Sequence, residues 1–261
     1  MKLARFWTRK RAEAVGGDGR RVEAVARGWS NESPAAAAQV AQDIAGRVAQ
    51  KLASGDMRKG HYLYGDRPLP EPILYEFGGG GAEPRAAITR NVYGALVMNA
   101  RNLMFIDIDR EGNAVLGEIE RAATAAGIDA RVYRTAAGYR VMVTNYGFEP
   151  GASNSEALLR QFGADPLYVK LCQMQQSFRA RLTPKPWRCG LRLPPVAFPF
   201  ETPRDQAMFD EWDQRYSAAI AGYATCQYVA SFPGQHADAS FHDLIEYHDQ
   251  VTKAGASMPL A

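Results

Sequence analysis

Cysteine is scarce and never paired: Cys172, Cys189 and Cys226 stand alone in 261 residues. With no CxxC spacing, neither a disulfide framework nor a cysteine zinc site is supported. Histidine is nearly as rare. His61, His236, His242 and His248 build no HExxH motif, and the last two are spaced wrongly for one helical face. A Gly-x-Ser-x-Gly elbow is also missing, so Ser/His/Asp nucleophilic catalysis has no local support. The longest apolar runs fall far short of a membrane span, so no membrane partner is expected. The N-terminal Met1-Lys2-Leu3-Ala4-Arg5-Phe6 stretch carries charge but no apolar h-region, unlike a secretory signal. The expected location is the cytoplasm.

Charge of one sign is not in excess either. The formal net charge is +3, too small for a strong polyanion binder as a whole. Its distribution is less even. Residues 1–21 are basic, and Arg179, Arg181, Lys185, Arg188 and Arg192 form a second basic run without an acid among them. With 46% apolar and 23% charged residues the composition is that of an ordinary globular protein. The length suits one large domain or two small ones.

What the sequence does have is a sharp boundary at Leu103-Met104-Phe105-Ile106-Asp107-Ile108-Asp109. A short run this apolar reads as a strand buried on both faces. Alternation places Asp107 and Asp109 on the same side, about 6.5 to 7 Å apart along the strand. Two carboxylates so close repel, and a proton or a cation relieves them. A divalent metal is the usual remedy where phosphates are handled. The plainer alternative is a strand end with two solvated or capping acids.

Around this stretch the pattern alternates between strand and helix. Residues 1–28 read as short elements on either side of the Gly16-Gly17-Asp18-Gly19 turn, or as a loose arm. Ser33-Pro34 is a good cap for a helix whose stripe is Val40, Ile44, Val48 and Leu52, with Gly55 as the stop. Gly78 to Gly81 read as a loop, since Glu83-Pro84 intervene before any helix could offer its N-terminus to a phosphate. Residues 91–99 read as a strand that turns back into 103–109. A helix from Asn113 to Gly127 follows, then a hairpin over 131–144 with its turn at Ala136-Ala137-Gly138. Helices are predicted over 153–162, 165–183, 205–221 and 238–253, with a Pro-rich wrap at 184–204. The expected architecture is α+β: a ferredoxin-like or palm-like antiparallel or mixed sheet, with helices on one face and helical additions at both ends. The expected division is an N-terminal segment, 1–90, packed on a core, 91–261.

Two further groups could carry chemistry. Arg134 and Arg140 flank the Gly138 turn, whose backbone N–H groups and guanidinium forks suit phosphate or carboxylate oxygens. The same arginines could instead pair with Asp107 and Asp109 and leave no room for a metal. The second group is the run from Ser177 to Arg188, where Phe178 and Trp187 interleave with Arg179, Arg181, Lys185 and Arg188. That mixture suits a nucleotide or nucleic-acid phosphate surface. Basic residues closing a helix C-terminus are the structural alternative.

The Phe105-Ile106-Asp107-Ile108-Asp109 strand, a crossover helix, and Arg134-Thr135-Ala136-Ala137-Gly138-Tyr139-Arg140-Val141-Met142 together resemble the first two motifs of the archaeo-eukaryotic primase superfamily. The resemblance covers about 40 residues. It implies that Asp107 and Asp109 hold catalytic Mg²⁺ or Mn²⁺, and that the second strand, with Arg134, Thr135, Gly138 and Arg140, contacts nucleotide phosphate. Arg140 stands where the family has a histidine. Glu201 is the candidate for the family's third acid. The whole chain also resembles an uncharacterised bacterial protein family. The Phe-x-Asp-Ile-Asp strand is similar to that of diguanylate cyclases, but their Gly-Gly-Asp/Glu-Glu-Phe turn is absent. Arg110 after the second aspartate departs from the haloacid-dehalogenase pattern. The implied activity is metal-dependent nucleotidyltransferase-like chemistry on a nucleotide or nucleic acid. The alternative is a primase-like fold that binds nucleic acid or protein without turnover.

Overall fold

The computed structural model describes residues 1–55, 67–78 and 83–261. His61, the Tyr62–Asp66 stretch and glycines 79–81 lie outside them. Among the described residues the chain is α+β, with six α-helices and ten strands in antiparallel sheets.

The basic N-terminus is a hairpin of β1 (Phe6–Val15) and β2 (Arg21–Ser30), paired from Phe6↔Ser30 to Val15↔Arg21. Helix α1 (Pro34–Ala53) lies across it. Ser33 caps it by accepting from the Ala36 N–H, with Pro34 at the first helical position. The packing face differs from the expected one. Ala37, Ala41, Ala45 and Ala49 are buried, whereas Val48 and Leu52 are 42% and 36% exposed. The cause is a close approach: a Cβ on Gly28 would lie 2.3 Å from the Ala41 nitrogen. Ala24, Ala26 and Gly28 leave room for methyl groups only, so the larger apolar stripe turns outward.

Two four-stranded sheets form the body. One has the order β3-β4-β5-β9, from β3 (Ile73–Phe77), β4 (Ala86–Arg90), β5 (Leu96–Ala100) and β9 (Phe178–Arg181). The other has the order β10-β7-β8-β6, from β6 (Phe105–Ile108), β7 (Ala130–Thr135), β8 (Gly138–Val143) and β10 (Cys226–Phe232). The expected pairing of 91–99 with 103–109 does not occur. Residues 91–94 are a turn in which Asn91 Oδ1 accepts from the Tyr93 and Ala95 N–H groups. Gly94 there has φ +84°, and a Cβ would lie 2.2 Å from the Trp212 ring. β5 pairs with β4 and β9, while β6 pairs with β8. Apart from Asn99 and Asp107 both runs are apolar on both faces, so their sequences carry little information about which edge receives them. The 131–144 hairpin, by contrast, forms as read, in register Thr135↔Gly138.

The helices complete the layers. α2 (Asn113–Ala126) ends at Gly127 with φ +65°. α3 (Ser153–Gln161) follows, then α4 (Pro166–Gln175). The long helix expected over 165–183 breaks at Gln176, which has φ +51°, and the chain continues as β9. Phe178 and Ala180 are buried on one side of that strand, while Arg179 and Arg181 alternate with them on the other. This is a period-two signal within a segment read as helix. α5 (Pro203–Ala219) opens with a Thr202/Asp205 capping box and buries Trp212 and Tyr216. α6 (His242–Thr252) covers the sheet face that carries Tyr133 and Phe105. No described helix is long and apolar enough to cross a membrane.

Candidate functional site

β6 is the edge strand of its sheet, and its carboxylates sit where that sheet meets β9. Asp107 pairs with Arg140 on β8, and Arg140 with Tyr133 on β7, so the three share one face. Arg140 is 1% exposed. Its Nε donates to Asp107 Oδ1 at 3.3 Å, and its Nη1 to the Arg181 carbonyl at 2.8 Å. Burial works against the guanidinium charge, but Asp107, Cys226 and Tyr168 together outweigh it, so the Arg140 pKa is raised. The Asp107 side chain itself is 39% exposed.

Asp109 lies just past the strand end and is exposed. Its carboxyl pKa is raised by desolvation first, then by Asp107 and Asp165, against the opposing pull of Lys185 and Arg188. Asp165 is fixed next to the pair: its N–H donates to the Asp107 carbonyl at 3.0 Å, and its side chain caps α4 through the Tyr168 N–H. Asp165-Pro166 is readable as a helix start, but its proximity to Asp107 arises only in the fold.

Cations face these acids. The Arg181 pKa falls to about 10, chiefly through burial, and Arg140 adds to the effect. Lys185 is lowered by burial and by Arg181 and Arg188, with Asp109 and Asp107 pulling the other way. Arg188 leaves a buried Nη1 with no hydrogen-bond partner. Lys185 Nζ lies 5.5 Å from the Trp187 ring centroid, and Trp187 meets Tyr93 edge-on at 5.3 Å. Both rings are exposed, at 49% and 41%. Tyr93 was not singled out from sequence, because its segment reads as a strand.

The remaining sequence candidates are dispersed. Arg134 is exposed and paired with Tyr139, on the face opposite Arg140, so the two arginines do not converge. Thr135 accepts from the Ala137 N–H within the turn at 3.3 Å. Gly138, at φ +150°, packs where a Cβ would be 2.1 Å from the Ile108 carbonyl oxygen. It seats the hairpin turn against the end of the acidic strand. Arg179 is held elsewhere, by both Glu71 oxygens at 2.8 and 3.0 Å and by Asn99. Glu201 is paired with Arg11 at 2.8 Å rather than with the aspartates.

Among the described residues, no three His, Cys, Asp or Glu side chains are grouped to hold a metal ion. The donor set at the site is two hard carboxylates on an open surface. That suits Mg²⁺ or Mn²⁺, which bind through one or two carboxylates and complete their shell with water and phosphate oxygens. Compared with protein-family models, with curated proteins and with solved structures, the chain matches none.

Proposed function

We propose that Asp107 and Asp109 hold a divalent cation beside a basic rim that receives nucleotide or nucleic-acid phosphate, in a primase-like, nucleotidyltransferase-like site. The observation that carries this reading is a set of partly exposed acids, Asp107 and Asp109, beside Lys185 and Arg188, whose buried Nη1 has no hydrogen-bond partner, and the direction of the shifts accompanies it. In a structural ion pair the partners support each other: Asp243 is lowered and Arg85 raised where the two meet. At the strand end Arg140 is raised beside Asp107, but Asp109 is raised and Arg181 and Lys185 are lowered, each by burial first. Burial is the largest cause of each of these shifts, and the opposite charges already present do not offset it. A metal ion at the carboxylates, with its phosphate at the cations, would add the missing counter-charge on both sides.

Within this reading Arg140 holds Asp107 in place from beneath and is too deeply buried to grip a ligand. Lys185 and Arg188 are the phosphate-facing cations, with Arg181 behind them. The exposed Trp187–Tyr93 pair offers an aromatic surface beside Lys185, as nucleotide and single-strand sites use. A bound metal would neutralise developing phosphate charge and orient an in-line attack.

A second reading is favoured by the Arg140–Asp107 pair: a primase-like fold without catalysis, binding nucleic acid or a protein partner. Calorimetric titration with Mn²⁺, with and without a nucleoside triphosphate, separates the two. Binding that disappears in Asp107→Asn/Asp109→Asn supports the metal site. Absence of binding by the wild type under both conditions removes it and leaves the arginine-neutralised cluster.

A further inference from the structure

Two cavities of about 320 and 530 Å³ adjoin one another and share Arg27, Pro70, Asn91 and Val92. They make one groove between the N-terminal hairpin and the body. None of the acids at the β6 strand end lines it. The first cavity has apolar walls that include Val196, Phe198 and Phe209. Its charged groups are engaged with each other or with a neighbour: Arg90 donates to both Asp213 oxygens at 2.7 and 3.0 Å, and Gln206 donates to Asp210 at 2.7 Å.

Arg27 is the exception. It is half-buried on β2, facing away from α1, and among the described residues no carboxylate pairs with it. Its cross-strand neighbour is Arg9. Glu201, the nearest acid to Arg9 at 3.9 Å, is already paired with Arg11 at 2.8 Å. Burial, then Arg9 and Arg67, lower the Arg27 pKa, the direction taken by a cation in need of an anion. An unmet buried donor lines the adjoining cavity. Gln175 is 2% exposed, and its Nε2 has no hydrogen-bond partner. Buried donors without partners are uncommon and costly, and an acceptor from outside satisfies them.

We infer that this groove binds a small amphipathic organic anion, with its oxyanion at Arg27 and its apolar body against the Val92–Phe198–Phe209 wall. The inference is independent of the phosphate-chemistry reading and can fail separately from it. The first probe is 8-anilinonaphthalene-1-sulfonate, an aromatic body with one oxyanion, titrated into the full chain by fluorescence. N-phenyl-1-naphthylamine, the same body without the charge, is the second. One saturable site for the anion is expected, with weaker binding of the neutral probe. Arg27→Gln is expected to weaken the anion about tenfold, as for loss of one charge-assisted hydrogen bond, and to leave the neutral probe unchanged. Val92→Glu alters a side chain that is 61% exposed, so the fold survives, and it should weaken both probes. Equal affinity for the anion in wild type and both variants would overturn the proposal. So would inorganic phosphate binding as tightly as the anionic probe while the neutral probe does not bind, which would indicate a bare oxyanion site.

Discussion

Two polar clusters on the two sheets handle buried charge in opposite ways. On the β3-β4-β5-β9 sheet, Glu71 is 6% exposed and accepts two hydrogen bonds from Arg179 and a third from Thr89. Asn99 joins the network by accepting from Arg179 and donating to Thr89. No buried side-chain polar atom of these four residues is left without a partner. At the end of β6, the Asp107 side chain has one hydrogen bond among the described residues, at 3.3 Å, Asp109 lies near other acids, and Arg188 retains an unpaired donor. A closed network repays desolvation and fixes strand register. An open one leaves charge for a ligand to satisfy. Strongly perturbed, poorly matched charge on a surface is a marker of function for that reason.

The largest effect is expected from breaking the closed network. Glu71→Ala leaves the Arg179 guanidinium, with only 15% of its side chain exposed, facing Asn99 alone. Removing one partner of a buried pair costs about 3–5 kcal/mol, which should appear as a lower urea midpoint with an unchanged slope. A loss below about 1 kcal/mol, the range of exposed pairs, would mean that the two clusters are not different in kind.

A second contrast comes from the buried dyad under the β10-β7-β8-β6 sheet. His248 Nδ1 meets Asp249 at 2.9 Å, its Nε2 is unpartnered, and its pKa falls to about 4, chiefly through burial. The folded state therefore binds a proton less readily than the unfolded state, whose histidine titrates near 6.5. Stability attached to this group is complete above that value and is lost as pH falls toward 4. The loss amounts to about 3 kcal/mol. Asp249, which is lowered in spite of its burial by His248 and Tyr133, acts in the same direction. His248→Phe keeps an aromatic ring between Phe105 and Tyr133 and should flatten the stability–pH curve between pH 7 and 4. An unchanged slope would show that His248 does not titrate as a buried neutral base.

How much of this was legible in the sequence follows the physics of each signal. Local signals came through: the Ser33-Pro34 helix start, the 131–144 hairpin, whose turn is Ala136-Ala137 with Gly138 already in the strand, the Gly127 stop and the acidic end of β6. Non-local pairings did not. The apolar stretches at 96–100 and 105–108 specify strands but not partners, so they were read as neighbours and lie in separate sheets. In sequence Arg179 and Arg181 belong to one basic run. Their strand sends both to one face, yet a glutamate 108 residues away engages the first and the second is buried near Arg140. In sequence Asp165 is an ordinary helix start and Tyr93 part of an apparent strand, and they join the site only through tertiary contacts. Charge balance is a three-dimensional property, so composition could not distinguish the closed cluster from the open one.

The smallest effect is the most diagnostic for the open cluster. Because the Asp109 pKa is raised, ionising this carboxylate is harder in the folded state than in the unfolded state. The resulting penalty is complete above the folded pKa and disappears as pH falls below the ordinary carboxylate value. Asp109→Asn removes it. The side chain is exposed and solvent screening is strong, so the gain at pH 7 is expected to stay within about 0.5 kcal/mol. It should be seen as a small rise in melting temperature in metal-free buffer, together with weaker Mn²⁺ binding. The sign decides the matter. If Asp109→Asn melts lower than the wild type without metal, the carboxylate is already well paired with Lys185 and Arg188, and the strand end is a closed salt-bridge cluster like that of Glu71. If it melts at or above the wild type and loses Mn²⁺, the same substitution has relieved the free protein and disabled its ligand site, a combination that a purely structural acid does not produce.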